Sequence, residues 1–346
     1  MPLFSLDLLF DFMAALSINL IVSLSLNLEC GYCGVSDFGR VFAVLGGAVI
    51  AAAIPGRLIA WYLGLETGVG YVKQNAYIIT EINRLMANTP ALAIGVIIFT
   101  LAISFGIGTL MGLFLSFPAL RLRVHYLAIT LFALGEIFRL IFYNTYSIVG
   151  GTVGIEVPNV MAWLPPEYRF PLMSIFLLLM SLLVFFYVKR TTDSPLGRVL
   201  RAIKDNEDVA RTFGKEIVRV RMKTIMISAG LAAVAGALYT FYAGAMVTSA
   251  FTAVSWTFIP IVMIVIGGLG NNLGTVVGTT IVVLINKSLV YVKHTLRPFL
   301  PFDVVWLDYL LLGILLIIIQ LYMPQGILKE KPIRTIDFDK FVKGSK

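Results

Sequence analysis

Few residues of the sequence have both the type and the spacing that chemistry requires. Cys30 and Cys33 form a C-x-x-C pair, which in other settings binds a metal or cycles between thiol and disulfide. A structural zinc site needs four ligands, and the two histidines, His125 and His294, lie far away in the sequence. The pair also lies between apolar segments rather than at the start of a soluble helix. We therefore predict no metal site at this pair. The sequence also lacks the clustered Asp, His or Cys that a membrane-embedded enzyme would need, so we predict no catalytic residue and no enzyme activity.

Ionisable residues inside an apolar segment are the second candidates. Glu136 and Arg139 lie three positions apart, so a helix would place them on one face. Charged groups at membrane depth normally face the interior of a bundle or water. The two residues could line or gate a translocation path, or they could form an intrahelical pair that neutralises itself. Pairing is the ordinary solution to the burial of charge, which favours the second interpretation.

The composition indicates that apolar helices must position these residues. Of the 346 residues, 59% are hydrophobic and 13% are charged, against roughly 25% charged in soluble domains. The mean hydropathy is +0.91. This composition excludes a disordered chain, a disulfide scaffold and almost any soluble enzyme, because a water-soluble surface of this size needs far more charge. The predicted fold class is an all-α polytopic membrane protein.

Apolar segments of the required length recur along the chain. A bilayer core about 30 Å thick needs about 20 mostly apolar residues per helix. The candidate spans are Leu8–Leu28, Val41–Ile54, Ala91–Phe117, Tyr126–Tyr143, Leu172–Val188, Thr224–Ala245, Trp256–Gly268, Thr275–Tyr291 and Val304–Met323. Because several are short or interrupted by glycine, we expect eight to ten transmembrane helices, some of them broken or re-entrant. No basic residue precedes Arg40, so we expect no cleaved signal peptide.

Two glycine runs interrupt the apolar pattern, one in each half of the chain. They span Gly31–Gly39 and Gly267–Gly278. Paired runs of this kind are typical of pseudo-two-fold repeats with unwound helices at a central site. The second run also contains Gly270-x-x-x-Gly274-x-x-x-Gly278, which indicates close helix packing instead. We favour packing for the second run and leave the first open.

The basic residues predict the orientation of the chain. The formal net charge is +8, and ten of the 27 basic residues fall in Lys189–Lys223 and six in Lys329–Lys346. The segments Gly56–Pro90 and Asn144–Pro171, on the other side if the spans alternate, hold only four. The positive-inside bias then places the N-terminus outside and the C-terminus in the cytoplasm. The excess charge indicates orientation in a cell membrane, with no nucleic acid as a partner.

One segment of the longest basic loop carries start and stop signals of a helix. Ser194 can cap it, Pro195 suits its first position, and Gly214 can end it in a left-handed conformation. Apolar residues recur between them at steps of three and four, which predicts one amphipathic helix of about five turns. The apolar residues are Leu196, Val199, Leu200, Ile203, Ala210 and Phe213. The helix could lie on lipid or dock on a partner protein, and its mixed charge favours the partner.

Motifs along most of the chain resemble those of the permeases of branched-chain amino acid ABC importers, and in particular their M-type subunit. Within the amphipathic segment the resemblance rests on Leu196-Gly197-Arg198, Leu200-Arg201-Ala202-Ile203, Asn206-Glu207, Ala210 and Gly214. Elsewhere it rests on Asn27, Gly31-Tyr32-x-Gly34-x-Ser36-x-x-Gly39, Pro118–Arg123, Tyr126–Leu131, Glu136, Arg139, Gly150-Gly151-x-x-Gly154, Gly267–Gly270 and Pro324-x-Gly326. The sequence departs from the family pattern at Arg40, Val124, His125 and Thr275.

The resemblance implies roles for three groups of residues. Those expected to contact the ATPase are Gly197, Arg198, Leu200, Arg201, Ala202, Ile203, Asn206, Glu207, Ala210, Phe213 and Gly214. Candidates for the translocation path are Asn27, Ser36, Glu136, Arg139, Gly267, Gly268 and Gly270. An external loop with Gly150, Gly151 and Gly154 would face a solute-binding protein.

The domain organisation follows from the same features. We expect one permease domain over residues 1–328, a cytoplasmic coupling loop over 189–223 and a basic cytoplasmic tail over 329–346. The chain contains no G-x-x-x-x-G-K-[ST] phosphate-binding loop, so ATP and Mg²⁺ would bind to separate ATPase subunits, and this chain would carry no cofactor.

The resemblance further implies an assembly with a paralogous permease, two ATPases and an extracytoplasmic binding protein, in the inner membrane of a prokaryote. A permease for urea or short amides is the alternative within the family. An ion-coupled secondary transporter or channel, or a membrane-embedded enzyme, would be alternatives from other classes.

Overall fold

Apolar helices make up most of the chain, in keeping with its composition. The computed structural model describes residues 6–122, 124–296 and 304–330. Its long helices are α1 (Leu6–Leu26), α2 (Arg40–Ala53), α6 (Pro90–Arg121), α7 (Val124–Asn144), α9 (Pro166–Asp193), α12 (Ile217–Ala243), α14 (Asn272–Leu296) and α15 (Val304–Tyr322). Its shorter helices are α3 (Pro55–Tyr62), α4 (Val69–Lys73), α5 (Asn75–Asn88), α8 (Tyr146–Val149), α10 (Pro195–Asp205), α11 (Glu207–Thr212) and α13 (Ile259–Gly267).

The predicted spans correspond to these helices. Within the described ranges, seven helical stretches are long and apolar enough to cross a membrane, and two shorter apolar helices, Val254–Gly267 and Tyr309–Tyr322, accompany them. The prediction of an all-α polytopic membrane protein with some short spans is confirmed. The basic tail is outside the described residues from position 331 onward, as is Arg123.

The first glycine run breaks the path of the chain. Helix α1 continues as a π-helical turn, Asn27–Tyr32, after which an irregular stretch leads to α2. A second π-helical turn, Val254–Phe258, precedes α13. The two breaks meet, because the backbone N–H of Val41 donates a hydrogen bond of 3.0 Å to Oγ1 of Thr257. Irregular backbone at membrane depth needs such protein partners, because lipid supplies none.

The second glycine run lets α13 and α14 approach closely. A Cβ at Gly278 would overlap the carbonyl oxygen of Met263, and one at Gly267 would overlap that of Gly274. The intervening turn requires left-handed backbone, with φ of 114° at Gly268 and 76° at Gly270. The packing interpretation of this run is therefore confirmed.

Helix α12 forms the centre of the bundle and packs against α1, α2 and α6. Its contacts with α2 depend on missing side chains, since a Cβ at Gly47 would overlap the carbonyl of Ala233 and a Cβ at Gly236 would overlap that of Val44. Small residues at such crossings allow backbones to approach, and dispersion contacts then hold helices that lipid would solvate equally well.

The two ends of α12 define the two ends of the molecule. Its first turn contacts α11, within the segment Lys189–Lys223 that holds ten basic residues, and we call this end of the molecule the basic end. Its last turn leads into a short strand, β2 (Ala245–Met246), which pairs antiparallel with β1 (Ile155–Glu156). At the opposite end, the predicted loop Gly56–Pro90 is largely helical, as α3, α4 and α5. Asn75 joins these helices to β1, because its Oδ1 accepts the N–H of Glu156 at 2.7 Å.

The predicted single amphipathic helix is two helices, and the prediction of one continuous helix was wrong. Ser194 caps α10, since its Oγ accepts the N–H of Leu196 at 3.2 Å. Asn206 is extended (φ −157°, ψ 108°) and caps α11 by accepting the N–H of Val209. Asparagine competes for backbone hydrogen bonds and so favours a cap over a helix interior. Gly214 has φ of 71°, as its predicted stop role requires.

We predict that Gly47→Ala destabilises the bundle, because the added Cβ overlaps the backbone of α12; overpacking of this kind costs about 1–3 kcal/mol. Gly106→Ala is the matched control, since a Cβ there meets nothing within 4 Å and alanine favours the helix. The midpoint of thermal unfolding in detergent should fall for the first variant and not for the second. Equal midpoints for the two variants would show that the close crossing of α2 and α12 does not contribute to the stability of the bundle.

Candidate functional site

The unwound end of α1 is joined to two other helices by a chain of buried side-chain amides. Nδ2 of Asn27 donates to Oδ1 of Asn272 at 3.1 Å, and Oδ1 of Asn27 accepts the N–H of Gly270 at 3.0 Å. Nδ2 of Asn272 in turn donates to Oγ1 of Thr192 at 2.9 Å. These bonds connect α1, the turn before α14 and the end of α9. We call this set, Asn27, Thr192, Gly270 and Asn272, the amide junction.

The segment after α15 runs across the amide junction. The N–H groups of Ile327 and Leu328 donate to the carbonyls of Ile266 and Gly267 at 3.0 and 2.9 Å. Nδ2 of Asn271 donates to the carbonyl of Lys329 at 2.9 Å. We call residues 324–330 the strap. It ties the chain that follows α15 to the turn between α13 and α14.

The strap also reaches α10. Oε2 of Glu330 accepts a hydrogen bond of 2.8 Å from Nζ of Lys204, and Oε1 lies 3.7 Å from Nε of Arg201. The guanidinium of Arg201 is 5.2 Å from the centre of the Tyr32 ring, at the end of α1. Each contact is partly exposed and individually weak. Together, these contacts connect α10 to the unwound end of α1 and, through the strap, to the turn before α14. The amide junction joins the same two places.

The apolar face of α10 and α11 packs on the rest of this chain. Leu200, Ile203 and Ala210 are buried, in clusters with residues of α12. The expectation that this face meets lipid or a partner is wrong for these residues, because periodicity shows that a face is buried but not against what. A Cβ at Gly197 would overlap the carbonyl of Thr192, so this glycine allows α10 to fold back on α9.

The exposed face of the same segment is different from the predicted one. Phe213, expected on the buried stripe, is 77% exposed, and Val209 of α11 is 50% exposed. Ala202, Arg198 and Asn206 also face outward. Glu207 is partly buried and holds α11 to α12 through a hydrogen bond of 2.8 Å from Arg221. The outward surface of this segment thus carries apolar groups that no described residue covers.

A group of three charged residues that sequence reasoning missed lies buried at the break between α1 and α2. Arg40 donates to Oε2 of Glu29 at 2.7 Å and lies 3.1 Å from Oδ2 of Asp37. Their side chains are only 1–3% exposed. Oδ1 of Asp37 also accepts the N–H of Gly39 at 2.7 Å, which fixes the start of α2. The sequence does contain a signal for this charged triad: three ionisable residues fall within a stretch of twelve positions, 29–40, between two apolar segments.

The remaining path candidates are divided by the structure. Asn27 and Gly270 meet at the amide junction, Gly267 and Gly268 lie at the end of α13 just before it, and Ser36 lies in the break between α1 and α2. Glu136 and Arg139 lie apart from them on α7.

The geometry of that pair bears on its role. Nε of Arg139 donates to Oε2 of Glu136 at 2.8 Å, which is the self-neutralising intrahelical pair. Both side chains are about a quarter exposed, so lipid or a partner chain could reach them.

The glycines predicted for the external loop form a tight turn at the end opposite the basic end. Gly150, Gly151 and Gly154 have φ of 73°, 59° and 80°. A Cβ at Gly150 would overlap the carbonyl of Gly154, and a Cβ at Gly154 would lie 2.5 Å from the carbonyl of Met246 in β2. These three glycines therefore share a left-handed backbone conformation that other residues rarely adopt. The turn that they form leaves Val153 78% exposed.

The cysteines form no recognisable chemical site. Cys30 and Cys33 are both free, and the described part of the chain contains no group of three or more His, Cys, Asp or Glu that could hold a metal.

Known proteins resemble this chain over almost its whole length. The family model described as "Branched-chain amino acid transport system / permease component" matches residues 8–320. A "Probable branched-chain amino acid transport permease protein LivM" of Methanocaldococcus jannaschii is 37% identical over 333 residues, which cover 96% of each chain. The "High-affinity branched-chain amino acid transport system permease protein LivM" of Escherichia coli is 28% identical over 63% of this chain and 54% of its own. No solved structure matches the chain significantly.

We predict that Arg40→Met destabilises the protein strongly. It leaves Glu29 and Asp37 buried and unpaired, and breaking a buried ion pair in this way costs about 3–5 kcal/mol. The triple variant Glu29→Gln, Asp37→Asn, Arg40→Met removes all three charges and should recover most of the stability. Arg219→Met, in an exposed pair with Glu216, is the control and should be neutral. Thermal unfolding in detergent measures all three; an Arg40→Met protein as stable as the wild type would contradict the role of the triad.

Proposed function

Because the chain belongs to the family of permease components of branched-chain amino acid transport systems, we propose that it forms the membrane path for import of leucine, isoleucine and valine. The observation that carries the proposal is the match to the archaeal relative, at 37% identity over 96% of both chains. Permeases of this family belong to ABC systems, which include ATPase and solute-binding subunits. The family is one of multi-pass membrane transport proteins and not of enzymes.

The relatives also favour one substrate over the alternatives. Both relatives described above carry branched-chain amino acids in their names, and neither is named for urea or short amides. The family model describes one component of a transport system, which favours an importer with separate ATPase subunits over an ion-coupled secondary transporter.

We further propose that the ATPase docks on the outward surface of α10 and α11. Val209 and Phe213 supply exposed apolar groups there, which a cleft of a partner protein could bury. Buried Leu200, Ile203 and Ala210 anchor the same helices to the membrane domain. A rigid segment with one anchored face and one exposed apolar face is suited to transmit a displacement.

The route of that displacement follows from the contacts of α10. Gly197 fits against the end of α9, Tyr32 lies under Arg201, and Glu330 links Lys204 to the strap. Movement of α10 would therefore reach the ends of α1, α9 and α13 together. Closure of an ATPase pair after ATP binding would shift these ends and reopen the path to the other side of the membrane. ATP and Mg²⁺ bind to the ATPases in this scheme.

The remaining parts of the proposed assembly follow from the orientation. The C-terminus and the basic end would face the cytoplasm of a prokaryotic cell, as the positive-inside bias indicates. The turn with Gly150, Gly151 and Gly154, next to exposed Val153, would then face the solute-binding protein. A paralogous permease would complete a heterodimer, with lipid or this partner covering the exposed faces of α6, α7 and α9.

Reconstitution tests the main proposal. The chain, co-expressed with its neighbouring transport subunits, should take up labelled leucine, isoleucine or valine into proteoliposomes only when ATP and the binding protein are present. Uptake of urea instead, or uptake driven by an ion gradient without ATP, would replace the proposal with one of the alternatives.

We predict that Phe213→Asp reduces this uptake at least tenfold, because it places a charge in an apolar docking surface. The side chain is exposed, so the permease itself should remain folded and in the membrane. Phe213→Leu, which keeps an apolar group, should retain uptake, whereas Ala202→Trp should block docking by bulk. Uptake and co-purification of the ATPase are measured together. Wild-type values for both Phe213→Asp and Ala202→Trp would exclude this surface as the docking site.

A further inference from the structure

A cavity of about 270 Å³ lies among α1, α12, α13, α14 and α15. Much of its wall is aliphatic, and the contributing side chains are Ile18, Ile259, Met263, Val282, Val283 and Leu312. Its size is close to the lower limit of small-molecule sites, which suits a solute the size of an amino acid. The sequence-based path candidates do not line it.

One charged side chain lines the cavity within the described part of the chain. Nζ of Lys287 donates a hydrogen bond of 2.6 Å to Oδ2 of Asp11, and the hydroxyl of Tyr242 donates one of 2.7 Å to Oδ1 of the same residue. An ammonium group has three donors. Asp11 thus neutralises Lys287 while leaving it donors for a further carboxylate.

Neutral polar groups and aromatic rings face the same space. Nδ2 of Asn19 donates to the carbonyl of Ala15 at 2.9 Å, which leaves Oδ1 as the acceptor of that amide. Ser255 supplies a hydroxyl. The ring of Trp256 is held by a hydrogen bond of 3.0 Å from Nε1 to the carbonyl of Ala250. Side-chain oxygens and aromatic faces are the groups that receive an ammonium ion.

We infer that this cavity binds the transported amino acid as a zwitterion, with its carboxylate on Lys287, its ammonium group towards Asn19, Ser255 and Trp256, and its aliphatic side chain against Ile18, Met263 and Val282. The inference rests on the proposed function and names the solute site within it.

The charge of the cavity explains which solutes it would accept. The Lys287–Asp11 pair is neutral as a unit, so a net-neutral solute enters without leaving a charge unpaired. A lysine or glutamate side chain would instead bring a charge against aliphatic walls, where it would lose its hydration without gaining a partner. An aliphatic side chain packs favourably against the same walls, because its apolar surface leaves water.

The position of the cavity agrees with this role. Asp11 lies in the first half of α1 and Tyr242 in the last turn of α12, so the charged pair is near the end of the bundle opposite the basic end. In the predicted orientation, that end faces the binding protein that would deliver the solute.

The test uses the assembled complex in lipid nanodiscs without binding protein, with labelled isoleucine as the probe. The double variant Asp11→Asn, Lys287→Met removes both charges and so leaves no unpaired one. We expect its affinity for isoleucine to fall at least tenfold, with unchanged yield and ATPase co-purification. Isoleucinol, which lacks the carboxylate, should not displace isoleucine from the wild-type protein.

A second pair of variants keeps the test decisive if the charge variant folds poorly. Val282→Phe fills the cavity and should abolish binding, whereas Val290→Phe places the same ring on an exposed position of the same helix and should not.

Wild-type affinity in both Val282→Phe and the double charge variant would overturn the inference and leave the importer proposal intact. Failure of the wild-type complex to transport any branched-chain amino acid would instead overturn the importer proposal itself.

Discussion

Every polar backbone group at membrane depth must find a partner within the protein, because hydrocarbon offers none. Regular helices satisfy this requirement internally except at their ends, as α12 does over Ile217–Ala243. The breaks after α1 and before α13 do not, and the chain places them against each other. Thr257 accepts the N–H of Val41, Asn27 accepts that of Gly270, and Asp37 accepts that of Gly39. These few bonds join the broken segments to the helices beside them.

Hydrogen bonds that satisfy the unwound backbone also join several helix ends at the basic end. The amide junction joins three helix ends, the strap crosses it, and α10 is attached to both through Glu330. None of these contacts is strong alone, but they share the backbone breaks. A bundle joined at broken ends can move as a few bodies instead of deforming continuously, which is the property that alternating access requires.

Three sets of charged side chains lie inside the bundle in the described part of the chain, and in each set the charges are paired. Arg40 meets Glu29 and Asp37, Arg139 meets Glu136, and Lys287 meets Asp11. Burial distinguishes their roles. The fully buried triad supports the backbone break, whereas Lys287, paired with Asp11, lines a cavity.

The sequence by itself determined the number of apolar segments, the class of membrane protein, the caps at Ser194 and Gly214, and the family, because these depend on local composition, on short-range hydrogen bonds and on motif order. Only the tertiary structure decided what each surface touches. Periodicity could not show that Leu200 and Ile203 face this chain while Phe213 faces outward. It could not show that Asn206 ends one helix and begins another. Nor could it bring Asp11 to Lys287, which are 276 positions apart. Such contacts depend on the packing of whole helices, which no local pattern encodes.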